Sequence, residues 1–397
     1  MAATVPYVLP MQPRNLQPLL QKIAGFFPVV AVTGPRQSGK TTLCRATFAE
    51  KPYVSLEALD DRAFATNDPR DFLARYADGA VFDEVQNAPD LLSYLQGDVD
   101  QRPEPGRFIL TGSQQLHLLA QVSQSLAGRV GMLQLLPLGF DELQHFPHPP
   151  KDLWTAIWQG GYPRIHDRGI PADRWLRDYV ATYVERDVRQ VLNVGDLQTF
   201  TAFLKLCAGR TGQELNLSAL GADAGVTHNT ARAWLSVLES SYLVFRVPAW
   251  HTNARKQVIR APKLHFFDTG LACQLLGIQT PEQLVNHPLR GALFETWVAT
   301  EIYKARVHRG QQANLLHHRE ARGLEIDLLV EQGQGLLAVE AKSGMTVAGD
   351  WFANLRKFAT LHPERQISSR LVYGGDTVQD RSDVEVVPWR EVAMRAW

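Results

Sequence analysis

The stretch F-P-V-V-A-V-T-G-P-R-Q-S-G-K-T-T, Phe27 to Thr42, decides how the first third of the chain folds. It reads as a buried strand, a loop bounded by glycines and the start of a helix. The loop, Gly34 to Thr41, has the spacing G-x-x-x-x-G-K-T. Gly34 and Gly39 permit the tight path that turns several backbone N–H groups toward one anion. Lys40 can reach the β- and γ-phosphates of a nucleotide, and the Thr41 hydroxyl can ligate Mg²⁺. Pro35, Arg36, Gln37, Ser38 and Thr42 complete the cradle. ATP and Mg²⁺ are the cofactors expected here.

Such a loop needs a second half, an apolar strand ending in an acid. G-A-V-F-D-E-V-Q-N-A-P, Gly79 to Pro89, supplies it. Asp83 is expected to hold the Mg²⁺ through water, and Glu84 to orient and deprotonate the attacking water. A third strand in G-R-F-I-L-T-G-S-Q-Q ends at Ser113, placed as a sensor of the γ-phosphate. Arg129, in S-L-A-G-R-V-G, is an arginine-finger candidate reaching a neighbouring subunit's nucleotide. Packing of that arginine on its own domain is the competing reading.

At 397 residues the chain is too long for one ordinary core, and its 45% apolar and 21% charged content is that of a globular protein. Formal net charge is zero, so contact with a polyanion has to come from a local basic surface. The cysteines, Cys44, Cys207 and Cys273, are odd in number and far apart, which fits neither a disulfide framework nor a zinc site. No secretory leader pattern and no membrane-length apolar run occurs, so a cytoplasmic protein without membrane contact is expected.

The middle is helical from Asp173 to Arg210. It then reads as a helix-turn-helix: a helix from Ser218 to Ala224, a turn at Gly225, and a second helix capped by Thr227 with Trp234, Leu235 and Leu238 on its buried stripe. His228, Asn229 and Arg232 are the exposed positions near its start. A β-pair follows, joined by a basic wing with Arg255, Lys256 and Arg260. These six residues are the DNA-contact candidates, backbone contact through the wing being favoured over base reading.

Near Arg290 an amphipathic helix begins, with Leu293, Trp297, Val298 and Ile302 inward and Glu295 on another face. Two strands follow, G-L-E-I-D-L-L-V (Gly323 to Val330) and L-L-A-V-E-A-K-S-G (Leu336 to Gly344), around a turn near Gly333. Alternation puts Glu325 and Asp327 on one face, opposite Leu324, Ile326 and Leu328, and gives Glu340 and Lys342 a shared face. Antiparallel pairing sets Asp327 across from about position 340. Asp327 and Glu340 then make a hard-cation site for Mg²⁺ or Mn²⁺, completed by Glu295, with Lys342 positioning water or offsetting transition-state charge. An exposed salt-bridge ladder is the bland alternative.

The motifs G-P-R-Q-S-G-K-T-T-L, V-F-D-E-V-Q-N-A-P-D-L-L, I-L-T-G-S-Q, S-L-A-G-R and G-G-Y-P (Gly160 to Pro163) resemble an AAA-type ATPase. More narrowly they resemble a prokaryotic group that joins such a module to a C-terminal domain of unknown function. The order helix Glu295, Asp327, Glu340-x-Lys342 resembles the PD-(D/E)xK nuclease superfamily, especially its junction-resolving members. Arg319 and His317 on the neighbouring strand could then touch phosphate, and Glu325 competes with Asp327 for the family's Asp.

The resemblance implies an α/β protein of four parts. These are a P-loop AAA-type parallel-sheet domain (1–150), a helical lid (151–212), a winged helix (213–288) and a nuclease-like domain (289–397). It also implies ATP-driven processing of branched or duplex DNA, most concretely Holliday-junction migration and cleavage. Assembly as a homo-oligomer is expected, a hexameric ring being one form. The alternatives are an ATP-dependent DNA-binding switch with a non-cutting nuclease-like domain, and an ATPase acting on proteins.

Overall fold

The computed structural model describes residues 12–113, 126–184, 197–251, 260–320 and 323–397. It divides into two compact units, Met1–Leu135 and Leu136–Trp397.

In the first unit five strands form one all-parallel sheet: β1 (Val29–Thr33), β2 (Tyr53–Ser55), β3 (Ala80–Asp83), β4 (Phe108–Gly112) and β5 (Val130–Gln134), in the order β2-β3-β4-β1-β5. A parallel sheet covered on both faces needs strands apolar on both sides. In β1, Val29 and Ala31 join one core cluster, with Phe82, Phe108 and Leu110, while Val30 and Val32 join the other, with Val81, Ile109 and Leu135. The strand order reverses beside β1. There, at the carboxyl ends of the strands, the phosphate loop leads into helix α1 (Lys40–Thr47), the place where doubly wound sheets bind ligands.

The second unit contains two helices joined by a tight turn and a small three-stranded sheet. Helix α2 (Leu217–Asp223) meets α3 (His228–Ser240) across Gly225, whose φ of 72° is left-handed, and Thr227 Oγ1 accepts the N–H of Thr230 as the cap of α3. Strands β6 (Gln213–Glu214), β7 (Val244–Val247) and β8 (Lys263–Phe266) form the small sheet, with β8 in the middle.

Downstream come α4 (Arg290–Val307), β9 (Leu315–Arg319), β10 (Glu325–Gln332), β11 (Gly335–Lys342), α5 (Ala353–Leu361), β12 (Gln366–Tyr373), β13 (Gln379–Asp380) and β14 (Glu385–Pro388). Their sheet order is β13-β14-β12-β11-β10-β9, with β11 and β12 parallel and β9, β10 and β11 antiparallel.

Three features of the packing lie beyond the sequence reading. Residues 136–150 pack with the second unit, where Leu136, Leu138, Phe140 and Leu143 join its main core. That same core takes in Phe200, Phe203, Trp234, Trp297 and Val339, so the middle and C-terminal parts of the chain share one core. Helix α4 is not simply amphipathic. It is buried on nearly all sides, and its interior charges are paired, Lys304 Nζ donating to Glu301 at 3.0 Å and to the Leu138 carbonyl at 2.9 Å. Third, the β9–β10 pairing shifts register between Ile326 and Leu329. The shift moves Leu328 into the cluster around α4, away from Leu324 and Ile326, although simple alternation groups the three.

The Gly160–Gly161 pair has a packing reason. Gly160 sits at φ 68°, ψ −165°, and a Cβ there would lie 2.2 Å from Asp268 Oδ1. Asp268 accepts the Gly161 N–H at 2.7 Å and caps the following helix through the Leu271 N–H at 2.9 Å.

Candidate functional sites

The loop after β1 is built for an anion. Gly34 has φ 149°, and a Cβ on it would come 2.0 Å from the Leu135 carbonyl oxygen, so only glycine passes there. Gly39, at φ 95°, turns the chain into α1. Lys40 is buried, and its ammonium donates to the carbonyls of Gly34 (3.0 Å) and Pro35 (2.8 Å). Burial pushes its pKa down, and the charges of Glu84 and Asp83 oppose that shift. Arg14 props the loop from behind, donating to the Ser38 carbonyl at 2.8 Å. The Ser38 hydroxyl is fully buried and has no hydrogen-bond partner among the described residues. An orphaned hydroxyl inside a cradle of this shape fits a phosphate oxygen.

Asp83 ends β3 and Glu84 follows it, beside the loop. Asp83 accepts from Thr41 Oγ1 at 2.9 and 3.1 Å, from the Tyr53 hydroxyl at 2.8 Å and from Thr111 Oγ1. Glu84 has a left-handed backbone, φ 56°. Its N–H donates to Thr111 Oγ1 at 3.2 Å, and its Oε2 accepts from Ser113 Oγ at 2.9 Å. Ser113 thus touches the acid beside the phosphate loop. Arg129 is held at home: its guanidinium forks onto both oxygens of Asp100 and donates to the Ala127 carbonyl. These contacts lie within its own unit, on a partly exposed surface.

Of the DNA-contact candidates, Asn229 and Arg232 are exposed at the start of α3 and His228 is half-buried. Arg260 is exposed and donates to the Arg319 carbonyl at 2.9 Å, while Arg255 and Lys256 lie outside the described residues.

Also in the second unit, four carboxylates and two lysines converge. The β10–β11 ladder pairs Leu328 with Val339, so Asp327, one step further, comes level with Glu340. Asp327 Oδ2 accepts the Ala341 N–H at 2.9 Å and lies 3.8 Å from Lys342 Nζ, which donates to Glu340 Oε2 at 2.6 Å. Glu340 is 2% exposed, and its Oε1 has no partner among the described residues. Burial, and next the nearby Asp327, hold its carboxyl well above the usual range.

A second lysine, Lys263 of β8, completes the cluster. Its ammonium is 2.9 Å from Glu295 of α4, 2.9 Å from Glu325 and 3.8 Å from Asp327 Oδ1. Burial pushes the Glu295 carboxyl up to about 8, with Asp327 adding to it and Lys263 opposing it.

His317 and Arg319 both lie on β9, the strand beside β10. His317 is fully buried, its Nε2 3.1 Å from the Ala261 carbonyl, and Arg319 is engaged by Glu325 and Glu214. The expected metal triad is changed. No three His, Cys, Asp or Glu side chains among the described residues are arranged to hold a metal ion. Glu295, Asp327 and Glu340 do share one patch, with ammonium groups set between them. Of the two β10 acids, Asp327 lies between both lysines, and Glu325 meets Lys263 and Arg319.

Residues 27–144 match the AAA domain family, and residues 150–282 and 290–392 match two domains of unknown function, DUF8612 and DUF4143. An uncharacterized protein of Mycobacterium tuberculosis and one of Mycobacterium bovis are each 32% identical over 308 residues, 77% of this chain and 68% of theirs. The chain belongs to the family of these mycobacterial proteins. Among solved structures, the Walker-type ATPase of Pyrococcus abyssi is 14% identical with a TM-score of 0.47, over 66% of this chain and 94% of that one. AMPPCP-bound DnaA of Aquifex aeolicus is 17% identical with a TM-score of 0.30, over 56% and 85%.

The first unit is an AAA-type ATPase domain, and ATP binding and hydrolysis are its chemistry. Sequence reasoning missed three residues of its site: Tyr53, Thr111 and Arg14. Thr111 stands two positions before Ser113 at the end of the same strand, so the polar end of β4 was the available signal. Lys263 was missed too. Its signal was a lysine opening the apolar strand K-L-H-F-F. No helix among the described residues is long and apolar enough to cross a membrane.

Proposed function

We propose that this protein is an ATP-driven DNA-processing enzyme whose second unit cleaves branched DNA, Holliday-junction migration and resolution being its concrete form. In the ATPase unit, Lys40 and the loop from Gly34 to Thr42 would hold the triphosphate, and Thr41 and Asp83 the Mg²⁺ that offsets its charge. Glu84 would take the proton of the attacking water, with Ser113 fixing its carboxylate.

The observation that carries the DNA reading is the convergence of Asp327, Glu340 and Lys342 at one end of the β10–β11 hairpin, beside Glu295 of α4. Lys342 would supply positive charge to a phosphodiester, and exposed Asn229, Arg232 and Arg260 would meet the duplex backbone. Divalent-metal chemistry is not laid out by this arrangement, and no step is assigned to it. Because Lys263 bridges three of the carboxylates, a second reading stands beside the first: an ATP-dependent DNA-binding switch that does not cut.

The two are separated by incubating the full chain with duplex, fork and four-way DNA, in Mg²⁺ or Mn²⁺, with and without ATP. Nicking that Asp327→Ala or Lys342→Ala abolishes while ATP turnover persists, and that Lys40→Ala leaves in place, supports cleavage. ATP turnover with no nicking of any substrate selects the switch.

A further inference from the structure

Lys263 is not an ordinary surface lysine. It opens the middle strand of the small sheet, paired with Val247 on one side and Glu214 on the other, and it is 1% exposed. The main chain of β8 is tied to α4 by the Thr300 hydroxyl, which donates to the Phe266 carbonyl at 3.0 Å. Two residues along, His265 Nδ1 lies 3.1 Å from Thr296 Oγ1 on the same helix. The ammonium is therefore delivered from a fixed backbone.

Its three partners come from α4 and from two positions of β10, so it joins elements that the hairpin alone does not connect. Counted together, Glu295, Glu325, Asp327 and Glu340 face Lys263 and Lys342, with Arg319 3.9 Å from Glu325. The buried Glu340 Oε1 is left without a partner among the described residues. An unpaired oxygen inside a cluster of carboxyl groups is a place for a further cation.

We infer that Lys263 is the resident cation of this cluster: its ammonium holds Glu295, Glu325 and Asp327 where the nuclease resemblance puts a divalent metal, and such a metal binds only once that ammonium is removed. The inference rests on the second reading above, a nuclease-like cluster that does not cut, and the test separates it from the cleavage centre.

Mn²⁺ uptake by the full chain, without nucleotide, is followed by the loss of the free-ion electron paramagnetic resonance signal. It is measured for wild type, Lys263→Met, and Lys263→Met combined with Asp327→Asn. The expected result is Mn²⁺ binding at least about tenfold tighter in Lys263→Met than in wild type, some 1.4 kcal/mol, and lost again in the double variant. Equal Asp327-dependent affinity in wild type and Lys263→Met overturns the inference and leaves the cleavage centre standing. No Asp327-dependent uptake by a folded Lys263→Met protein overturns both. Where Lys263→Met does not fold in chelator, recovery of its melting transition with Mn²⁺, and not with Na⁺, supports the inference. Failure to recover overturns it.

Discussion

Replacing Thr111 with valine tests how the ATPase acids are held. The two side chains have nearly the same shape, so packing in this fully buried position is kept and only the hydroxyl is lost. That hydroxyl donates to Asp83 Oδ1 and accepts the Glu84 N–H at 3.2 Å. A hydrogen bond to a charged group contributes about 1.5–3 kcal/mol and a neutral one about 1 kcal/mol, so the unit should lose roughly 2.5–4 kcal/mol of stability.

Thr41 and Tyr53 still hold Asp83, and nucleotide affinity should change by no more than about threefold, under 1 kcal/mol. Glu84 loses the anchor of its left-handed main chain, and kcat for ATP should fall by roughly 10- to 100-fold, about 1.4–2.7 kcal/mol of barrier. Phosphate release at saturating ATP, nucleotide binding and thermal melting read these quantities separately. Thr111→Ser keeps the hydroxyl at a cost of about 1 kcal/mol for the missing methyl, and should turn over ATP near the wild-type rate. Wild-type kcat in the valine variant, or a serine variant as impaired as valine, refutes the reasoning.

Arg129→Ala should leave ATP turnover within about twofold of wild type, since its exposed fork onto Asp100 is a weak surface pair; a loss of tenfold or more would support the finger role. Gly160→Ala should cost the second unit about 3 kcal/mol or more, from a backbone region reserved for glycine and a Cβ driven into Asp268, read as lost soluble protein or a lowered melting point. Burial pushes His317 down to about 4, with Lys263 adding to the shift, and holds His265 and His166 below their ordinary value too. At His317 the unfolded chain binds a proton that the folded one lacks between about pH 6.5 and 4, so the stability this residue contributes above pH 6.5 is lost as pH falls through that window, by up to roughly 1.4 kcal/mol per pH unit. The raised carboxyls of Glu295 and Glu340 act in the opposite sense. The His317 share is therefore read as the difference between wild type and His317→Gln in melting curves across pH 4–7, and a difference that does not change with pH refutes it.

The phosphate loop was legible because its chemistry lies in the backbone of consecutive residues. Gly34 and Gly39 take conformations that other residues avoid, Lys40 and Thr41 follow at fixed offsets, and the strand before and helix after are written in the same stretch. The acid pair at Asp83 and Glu84 was legible for a like reason, since a buried strand has to end where polar groups begin. The level setting of Asp327 and Glu340 followed from the turn near Gly333, because hairpin register is local arithmetic.

What a charged side chain meets in the folded chain is not local. Arg129 finds Asp100 from a neighbouring helix, Thr111 reaches Asp83 across adjacent strands, and the register shift near Ile326 moves Leu328 to the other face. Lys263 enters a carboxylate cluster built from α4 and β10 that no spacing in the sequence connects to it. Motif spacing fixes which groups a segment carries, but compensation of buried charge depends on which segments pack together, and only the tertiary structure decides that.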